Sequence, residues 1–179
     1  MTVEESALAT ELRGAIRDVP DYPKPGIIFK DITPLLGNPR LFGLACAAMA
    51  SPFRDLRVSH VIAIESRGFI FGGVVAAELG AGLVPVRKVG KLPFKTERVE
   101  YALEYGSDVL EIHVDAIGTG SRVLIVDDVL ATGGTVAATI RLAQKVGGNV
   151  VGCAFLIRLS FLPGLRTIGD VQTESVIVY

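Results

Sequence analysis

Residues 123 to 135 read Val-Leu-Ile-Val-Asp-Asp-Val-Leu-Ala-Thr-Gly-Gly-Thr, and this order of side chains decides the fold. The run from Val123 to Val126 is apolar and mostly β-branched, which is typical of a central strand in a parallel sheet covered by helices on both faces. Residues 136 to 146 then read as a helix. Because ligands of such sheets bind at the carboxyl ends of the strands, a site is expected just after Val126.

The residues after this strand are suited to a phosphosugar. Asp127 and Asp128 offer paired acceptors for the vicinal hydroxyls of a ribose. The small residues of the following turn can wrap backbone N–H groups around a phosphate, with help from the helix N-terminus and two hydroxyls. These residues are Ala131, Thr132, Gly133, Gly134 and Thr135. The alternative is that the acidic pair only caps the helix.

Two better-known phosphate motifs do not fit this segment. No Gly-Lys-Ser/Thr follows the turn, as a Walker loop requires, and the Gly-x-Gly-x-x-Gly spacing of dinucleotide sites is missing. Here the carboxylates precede the turn. The segment resembles the signature of type I phosphoribosyltransferases. In that family, acidic residues hold the ribose 2′- and 3′-hydroxyls of 5-phosphoribosyl 1-pyrophosphate (PRPP), and the loop holds its 5′-phosphate.

Size and charge limit the possible functions. With 179 residues, half of them apolar, the chain is expected to form one domain, 1–179, around one substantial core. A net charge of −1, from 18 basic and 19 acidic residues, argues against bulk binding to nucleic acid or to an anionic membrane. Residues 1 to 12 are acidic and amphipathic rather than signal-like, and no apolar stretch is long enough to span a bilayer.

The cysteines and histidines indicate a reducing compartment and no metal motif. Cys46 and Cys153 lie within apolar runs and are expected to be reduced core residues of a cytoplasmic protein. The only histidines, His60 and His113, form no zinc set and no Cys/His nucleophile pair at motif spacing.

The remaining chain alternates predicted strands and helices. Helices are predicted over 4–17, 38–53 and 69–79, and strands over 60–64, 83–87, 150–157 and 175–178. Residues 19–26 predict an extended, proline-stiffened loop, residues 88–99 a mobile loop, and residues 101–104 and 109–114 a β-hairpin.

This alternation predicts an α/β fold, a mostly parallel doubly wound sheet flanked by helices. A small N-terminal hood, residues 1–35, and the mobile loop with its hairpin, residues 88–108, are expected to cover the carboxyl edge. Because such folds host many activities, the function has to be argued from the site.

Two further segments carry groups that can bind an anion. The turn from Glu65 to Gly68 follows the strand 60–64. Its small residues, Ser66 among them, let the main chain approach a pyrophosphate, while Arg67 offers a planar, bidentate donor. A surface arginine in a tight turn is the alternative. In phosphoribosyltransferases the matching bond, here Glu65–Ser66, is commonly a non-proline cis peptide.

The second segment carries three cations, Arg87, Lys88 and Lys91. Alone they would more often be a solvated face. The resemblance implies that Lys88 and Lys91, or Arg87, reach the pyrophosphate, in several relatives across a homodimer interface. Tyr105 is also expected to contact the pyrophosphate.

Two longer matches narrow the family. Residues 23–31, Pro-Lys-Pro-Gly-Ile-Ile-Phe-Lys-Asp, and residues 101–108, Tyr-Ala-Leu-Glu-Tyr-Gly-Ser-Asp, closely resemble the adenine phosphoribosyltransferases. The likeness is collinear from about Pro20 to Gly148. Relatives often have Arg where Lys30 stands, and residues 93–96 lie in a loop that varies.

The resemblance implies recognition of adenine by the main chain. Adenine presents an amino donor beside a ring acceptor, whereas 6-oxopurines present a carbonyl and an N–H there. A carbonyl and an N–H from Ile27, Ile28, Phe29 or Lys30 would fit adenine and leave like groups facing each other for a 6-oxopurine. Phe29 is expected to stack on the base or to serve as a core aromatic of the hood, and the two roles are compatible.

The implied reaction converts adenine and PRPP to AMP and pyrophosphate. Mg²⁺ is expected to bind through PRPP oxygens and water, with no direct protein ligand. Glu104 would manage the imidazole protons of the purine at N7; the alternative is a solvated hairpin carboxylate. Loop 88–100 would close over the site to exclude water.

Two other functions stay open: transfer to a 6-oxopurine such as xanthine, and a non-catalytic PRPP-sensing regulator.

Overall fold

The N-terminal part of the chain forms helices and a two-stranded ribbon. The structure is a computed structural model that describes residues 6–102 and 107–179, the side chain of Ala102 excepted. Its first elements are α1 (Ala7–Gly14), β1 (Arg17–Pro20), β2 (Ile28–Asp31), α2 (Thr33–Leu36) and α3 (Pro39–Ala50), followed by a 3-10 helix, Ser51–Leu56. Ser6 caps α1 and Asn38 caps α3, each by accepting backbone N–H groups of the first turn.

Among the described residues, seven strands form the central sheet, and three helices follow strands β3, β7 and β8. The strands are β3 (His60–Ile64), β4 (Gly82–Lys88), β5 (Thr96–Ala102), β6 (Ser107–His113), β7 (Arg122–Leu130), β8 (Asn149–Arg158) and β9 (Thr173–Val178). The helices are α4 (Gly68–Leu79), α5 (Gly134–Lys145) and α6 (Gly164–Ile168). The strand order is β5-β6-β4-β3-β7-β8-β9, with β4, β3, β7, β8 and β9 parallel and the β5/β6 hairpin antiparallel. The predicted fold class is confirmed.

Strand β7 has apolar residues on both faces because two cores lie on either side of it. Leu124 and Val126 pack into one cluster with α3 and α4. Val123 and Ile125 pack into the other, with α5 and the hairpin. No helix in the described part of the chain is both long and apolar enough to cross a membrane.

The strand order places a crevice at the carboxyl ends of β3 and β7. From β3 the chain crosses to β4 on one side, and β7 then lies on the other side, so the winding direction reverses between β3 and β7. The β3/β7 pairing ends at Ala63 and Val126, whereas β7 continues beside β8 to Leu130. Such a reversal is where doubly wound sheets bind their ligands.

The hairpin differs most from prediction. Residues Thr96 to Val99, predicted as mobile loop, belong to β5 and pair with β6. Charged residues alternate with the buried Val99 and Tyr101, a half-buried pattern that the polar composition concealed. The hairpin is also not a separate cover, because β6 pairs with the carboxyl end of β4 at Arg87 and Lys88 and so extends the sheet.

Other helices and strands also begin or end at residues that differ from the prediction. The helix predicted over 4–17 ends at Gly14 among the described residues, and residues 19 and 20 pair with β2 instead of forming a loop. The helix predicted over 38–53 ends at Ala50 and continues as the 3-10 helix. Helices α2 and α6 were not predicted, since four or five residues are too few to show helical periodicity.

Candidate active site

A cavity of about 380 Å³ opens at the carboxyl ends of β3 and β7. Seven of the predicted site residues line it: Ser66, Arg67, Lys88, Asp127, Asp128, Ala131 and Thr135. Residues predicted to bind the ribose, the pyrophosphate and the 5′-phosphate therefore line the same cavity. Their convergence follows from parallel strands that end at one edge of the sheet.

The two aspartates lie inside β7, not after it, and share the floor of the cavity. The Asp127 carboxylate accepts the Asp128 backbone N–H at 2.9 Å. Asp127 keeps a partly exposed face but is otherwise surrounded by protein, and burial together with the neighbouring Asp128 raises its pKa well above the usual range. Burial also raises the pKa of Asp128, against the opposing effect of Arg67.

Arg67 pairs with Asp128 across the cavity. Its Nε lies 2.8 Å from Asp128 Oδ2. The two groups form an ion pair, but their geometry is not that of a hydrogen bond. The Asp128 side chain is 6% exposed and that of Arg67 is 37% exposed. The residue predicted to bind the ribose, Asp128, is thus paired with the residue predicted to bind the pyrophosphate, Arg67.

The helix-capping alternative for the aspartates is wrong. Helix α5 has Gly133 at its N-cap, with no side-chain hydrogen bond to the first turn. Gly133 has φ +84°, and a Cβ there would lie 2.7 Å from the Gly164 carbonyl oxygen at the start of α6. The turn therefore needs glycine, both for its left-handed backbone and for its contact with α6. The uncapped N-terminus of α5 can accept an anion.

Glu65 organises the turn after β3. The Glu65–Ser66 peptide is cis, as the resemblance implied. Arg87 donates to the Glu65 carboxylate from Nε and Nη2, both at 3.2 Å, and the Lys88 backbone N–H donates at 3.1 Å. Burial would raise the pKa of Glu65, but these donors outweigh it and lower the pKa. Arg87 is thus bound to Glu65 and is not among the residues that line the cavity, and its contact with a pyrophosphate stays a prediction.

The two lysines of the cation cluster have different environments. Lys88 Nζ lies 2.9 Å from Asp108 Oδ2 and lines the cavity; Asp108 raises the pKa of Lys88. The Lys91 side chain is exposed, and its backbone is held by Glu111. The predicted Glu104 and Tyr105 lie outside the described residues.

The predicted base-binding segment forms β2 and the residue before it. The Phe29 ring centroid lies 5.0 Å from the Arg67 guanidinium and 5.2 Å from the Tyr22 ring. Lys30 points elsewhere, with Nζ 2.7 Å from Asp18 and 3.9 Å from the Tyr179 ring centroid. Any base contact from Lys30 must therefore come from its main chain.

The ribbon leaves main-chain groups for such contacts. Strand β2 pairs only with β1 among the described residues, so its other edge has no strand partner. The exposed Ile28 belongs to β2. Ile27 precedes the strand, and its main chain is already paired: its carbonyl accepts the Tyr22 N–H at 3.2 Å and its N–H donates to the Lys24 carbonyl at 3.3 Å.

Sequence reasoning missed several residues of the cavity. Ile64, Glu65, Tyr101, Leu110 and Val129 line it but were not assigned to ligands. Tyr101 was part of a family match, and burial raises the pKa of its hydroxyl. The aliphatic members carry no local signal, because only the strand pairing shows that they reach the cavity. In the described ranges, 6–102 and 107–179, no group of three or more His, Cys, Asp or Glu side chains could hold a metal ion.

Comparison with known proteins adds the family. Residues 37–161 match the model of the phosphoribosyl transferase domain. The adenine phosphoribosyltransferase of Myxococcus xanthus is 50% identical over 178 residues, covering 99% of this chain and 97% of the relative. This chain belongs to the adenine phosphoribosyltransferase family.

Solved structures of the family share the fold. That of the Rhodothermus marinus adenine phosphoribosyltransferase has a TM-score of 0.92 and 54% identity, covering 96% of this chain and 98% of that one. The Saccharomyces cerevisiae adenine phosphoribosyltransferase, in complex with adenine and an imino-altritol bisphosphate, has a TM-score of 0.89 and 39% identity. The coverage there is 94% of this chain and 98% of the other.

Proposed function

We propose that this chain is a pentosyltransferase of purine salvage that converts adenine and PRPP to AMP and pyrophosphate. One observation carries the proposal. The aspartate pair, the uncapped N-terminus of α5 and Arg67 converge on one cavity, in a chain 50% identical to a named adenine phosphoribosyltransferase. These groups match the ribose hydroxyls, the 5′-phosphate and the pyrophosphate of PRPP.

The donor sugar would be held at three points. Asp127 and Asp128 would accept hydrogen bonds from the ribose hydroxyls. Residues 131–135, at the start of α5, would donate backbone N–H groups and hydroxyls to the 5′-phosphate. Ser66, Arg67, Lys88, Lys91 and Tyr105 would face the pyrophosphate, with Arg87 acting through Glu65.

Catalysis would follow from stabilising the leaving group and aligning the base. As pyrophosphate leaves carbon 1 of the sugar, the ribose gains oxocarbenium character and negative charge grows on the leaving oxygens. The cations around the cavity stabilise that charge, and the β2 segment holds adenine in line with carbon 1. Glu104 would exchange a proton or a hydrogen bond at N7 as N9 becomes nucleophilic.

Selectivity for adenine would come from the main chain of residues 27–30. A 6-oxopurine would leave like groups facing each other, and each unpaired buried group costs about 1–3 kcal/mol. The position of Phe29 beside Arg67 supports a stacking role, since the ring lies close to a cation of the sugar site.

Mg²⁺ is proposed as the cofactor, held by PRPP oxygens and water. The cavity offers the carboxylates of Asp127 and Asp128, whereas Glu65, which also lines it, is bound to Arg87. In the described part of the chain, no three His, Cys, Asp or Glu side chains are grouped so that they could hold a metal ion. This donor set fits a hydrated cation that the substrate brings in. The bound ion would neutralise charge on the pyrophosphate.

We also propose that residues 1–179 form one domain, with residues 1–35 as a base-binding hood and residues 88–108 as the mobile loop and hairpin. A cytoplasmic location and a homodimer complete the proposal. The free, buried thiols of Cys46 and Cys153 support a reducing compartment.

The test is a product assay. Purified protein, PRPP and Mg²⁺ are incubated with adenine, hypoxanthine, guanine or xanthine, and each nucleotide product is measured. AMP should form far faster than IMP, GMP or XMP. Equal rates with hypoxanthine would overturn the adenine assignment, and PRPP binding without product would favour a regulatory protein.

A further inference from the structure

Glu111 is a buried carboxylate outside the cavity, on β6. It is 1% exposed. Its Oε1 accepts the backbone N–H groups of Lys91 and Leu92, both at 3.1 Å. Its Oε2 accepts the Thr96 hydroxyl at 3.2 Å and lies 3.2 Å from Arg98 Nε. One carboxylate oxygen therefore fixes the segment between β4 and β5, and the other lies against the first residues of β5.

This segment is also held from the side of the cavity. The Lys91 carbonyl accepts a hydrogen bond from Arg87 Nη1 at 3.2 Å. Arg87 in turn binds Glu65, whose neighbours Ser66 and Arg67 line the cavity. The Lys91 peptide groups are thus fixed at the N–H by Glu111 and at the C=O by Arg87.

The side chain of Lys91 is left exposed near the turn after β3. Its positive charge contributes to lowering the pKa of Glu65, so the ammonium lies within electrostatic range of that carboxylate. Fixing the main chain on both sides limits where this ammonium can go.

We propose that Glu111 is a positioning residue that anchors the 90–92 segment and thereby sets Lys91 for the pyrophosphate end of PRPP. This inference rests on the proposed function. It assigns Glu111 no contact with substrate, so its effect must pass through the loop.

The charge of Glu111 is central to this role. Burial would raise its pKa, but the N–H groups of Leu92, Lys91 and Gly90 and the Thr96 hydroxyl outweigh it and lower the pKa. The ionised carboxylate accepts all of its hydrogen bonds. A glutamine amide would accept at one end and direct its own N–H groups toward Arg98 or the loop donors at the other.

The experiment compares Glu111→Gln with Glu97→Gln, a matched control on the neighbouring strand. The Glu97 side chain is 46% exposed and lies 3.9 Å from Lys145. The KM for PRPP, the KM for adenine, kcat, thermal unfolding and the rate of tryptic cleavage after Lys91 are measured. Thr96→Val, which removes one neutral donor, is the milder second variant.

For Glu111→Gln, the KM for PRPP should rise about tenfold or more, as expected for the loss of a charge-assisted hydrogen bond, while the KM for adenine stays the same. Tryptic cleavage after Lys91 should accelerate, and Glu97→Gln should match the wild type. Thr96→Val should shift the same quantities by a smaller factor.

Other outcomes also decide the proposal. An unchanged KM for PRPP, or equal rises in both KM values, would overturn it. If Glu111→Gln does not fold, an unchanged KM for PRPP in Thr96→Val would overturn it, and a selective rise would support it. If the wild type makes no AMP, the proposed function fails separately, and equal tryptic cleavage rates in the wild type and the variants would then reject the anchor.

Discussion

The buried Asp128 carboxylate forms an ion pair with the partly exposed Arg67, and a bound PRPP would contact both side chains instead. We predict that Asp128→Ala weakens PRPP binding and turnover while changing thermal stability little. Its pKa is raised by burial, so the folded protein does not favour the ionised carboxylate, and Arg67 can be solvated once released. PRPP titration and a thermal melt check this. Unchanged PRPP affinity would remove Asp128 from the ribose site.

Asp127 gives a prediction about pH. A carboxyl pKa that is raised in the folded state means that folding retains a proton that the unfolded chain loses. Stability therefore falls as pH rises from the unfolded pKa, about 3.9, through the folded pKa. Asp127→Asn should flatten this fall and be at least as stable as the wild type at pH 7, with weaker PRPP binding.

The measurement for Asp127 is the melting temperature between pH 4 and pH 7. The exposed Asp55, on the 3-10 helix, provides the control variant Asp55→Asn, which should follow the wild-type curve. A variant that is less stable than the wild type at pH 7 would contradict the cost of burying this carboxylate.

Glu104 is predicted to act as acid or base at the purine. Glu104→Gln keeps size and hydrogen-bonding capacity but cannot exchange a proton, so kcat should fall by about 10²–10⁴-fold. PRPP affinity should barely change. Steady-state kinetics and a PRPP titration separate the two quantities, and a near wild-type kcat would remove Glu104 from the mechanism.

At the level of elements, Gly133 is the N-cap of α5 and lies against the first residue of α6. Gly133→Ala would place a methyl against the Gly164 carbonyl oxygen in a left-handed backbone, which alone costs about 1–2 kcal/mol. We predict a lower melting temperature and weaker PRPP binding, because the N-terminus of α5 must shift.

Gly43 provides the matched control for this prediction. It lies inside α3, where an added Cβ would meet nothing within 4 Å. Gly43→Ala should stabilise the protein by about 0.4–1 kcal/mol through the unfolded state and leave PRPP binding unchanged. Wild-type PRPP affinity in Gly133→Ala would show that α6 does not set the phosphate turn.

At the level of the whole molecule, we predict a homodimer with the 88–91 segment near its interface. Sedimentation should give roughly twice the monomer mass, since closed twofold pairs are the commonest soluble assembly. If Lys91 acts across the interface, mixing Lys91→Ala with Asp128→Ala chains should restore activity in heterodimers that carry one intact site. No rescue in verified heterodimers would place Lys91 in the site of its own subunit.

The sequence by itself determined the parallel core, the turn of small residues after β7 and the family. These depend on local order: an apolar run, then paired carboxylates, then small residues, which stay adjacent in any fold that forms. Strand His60–Ile64 was predicted at its observed bounds because its apolar run is buried on both sides of the sheet. The sequence also predicted that Asp127 and Asp128 lie at the cavity, because they directly follow the apolar run of a central strand.

Only the tertiary structure decided which side chains meet. The sequence marked Arg87 as a cation, but only the strand pairing shows that it binds Glu65, which is 22 residues away in the chain. Lys30 faces Asp18 and Tyr179 because side chains alternate along a strand, and its register in β2 is set by pairing. Glu111 contacts the 90–92 segment only because β6 places its carboxylate beside the Lys91 backbone. Such contacts join residues distant in sequence, so no local pattern encodes them.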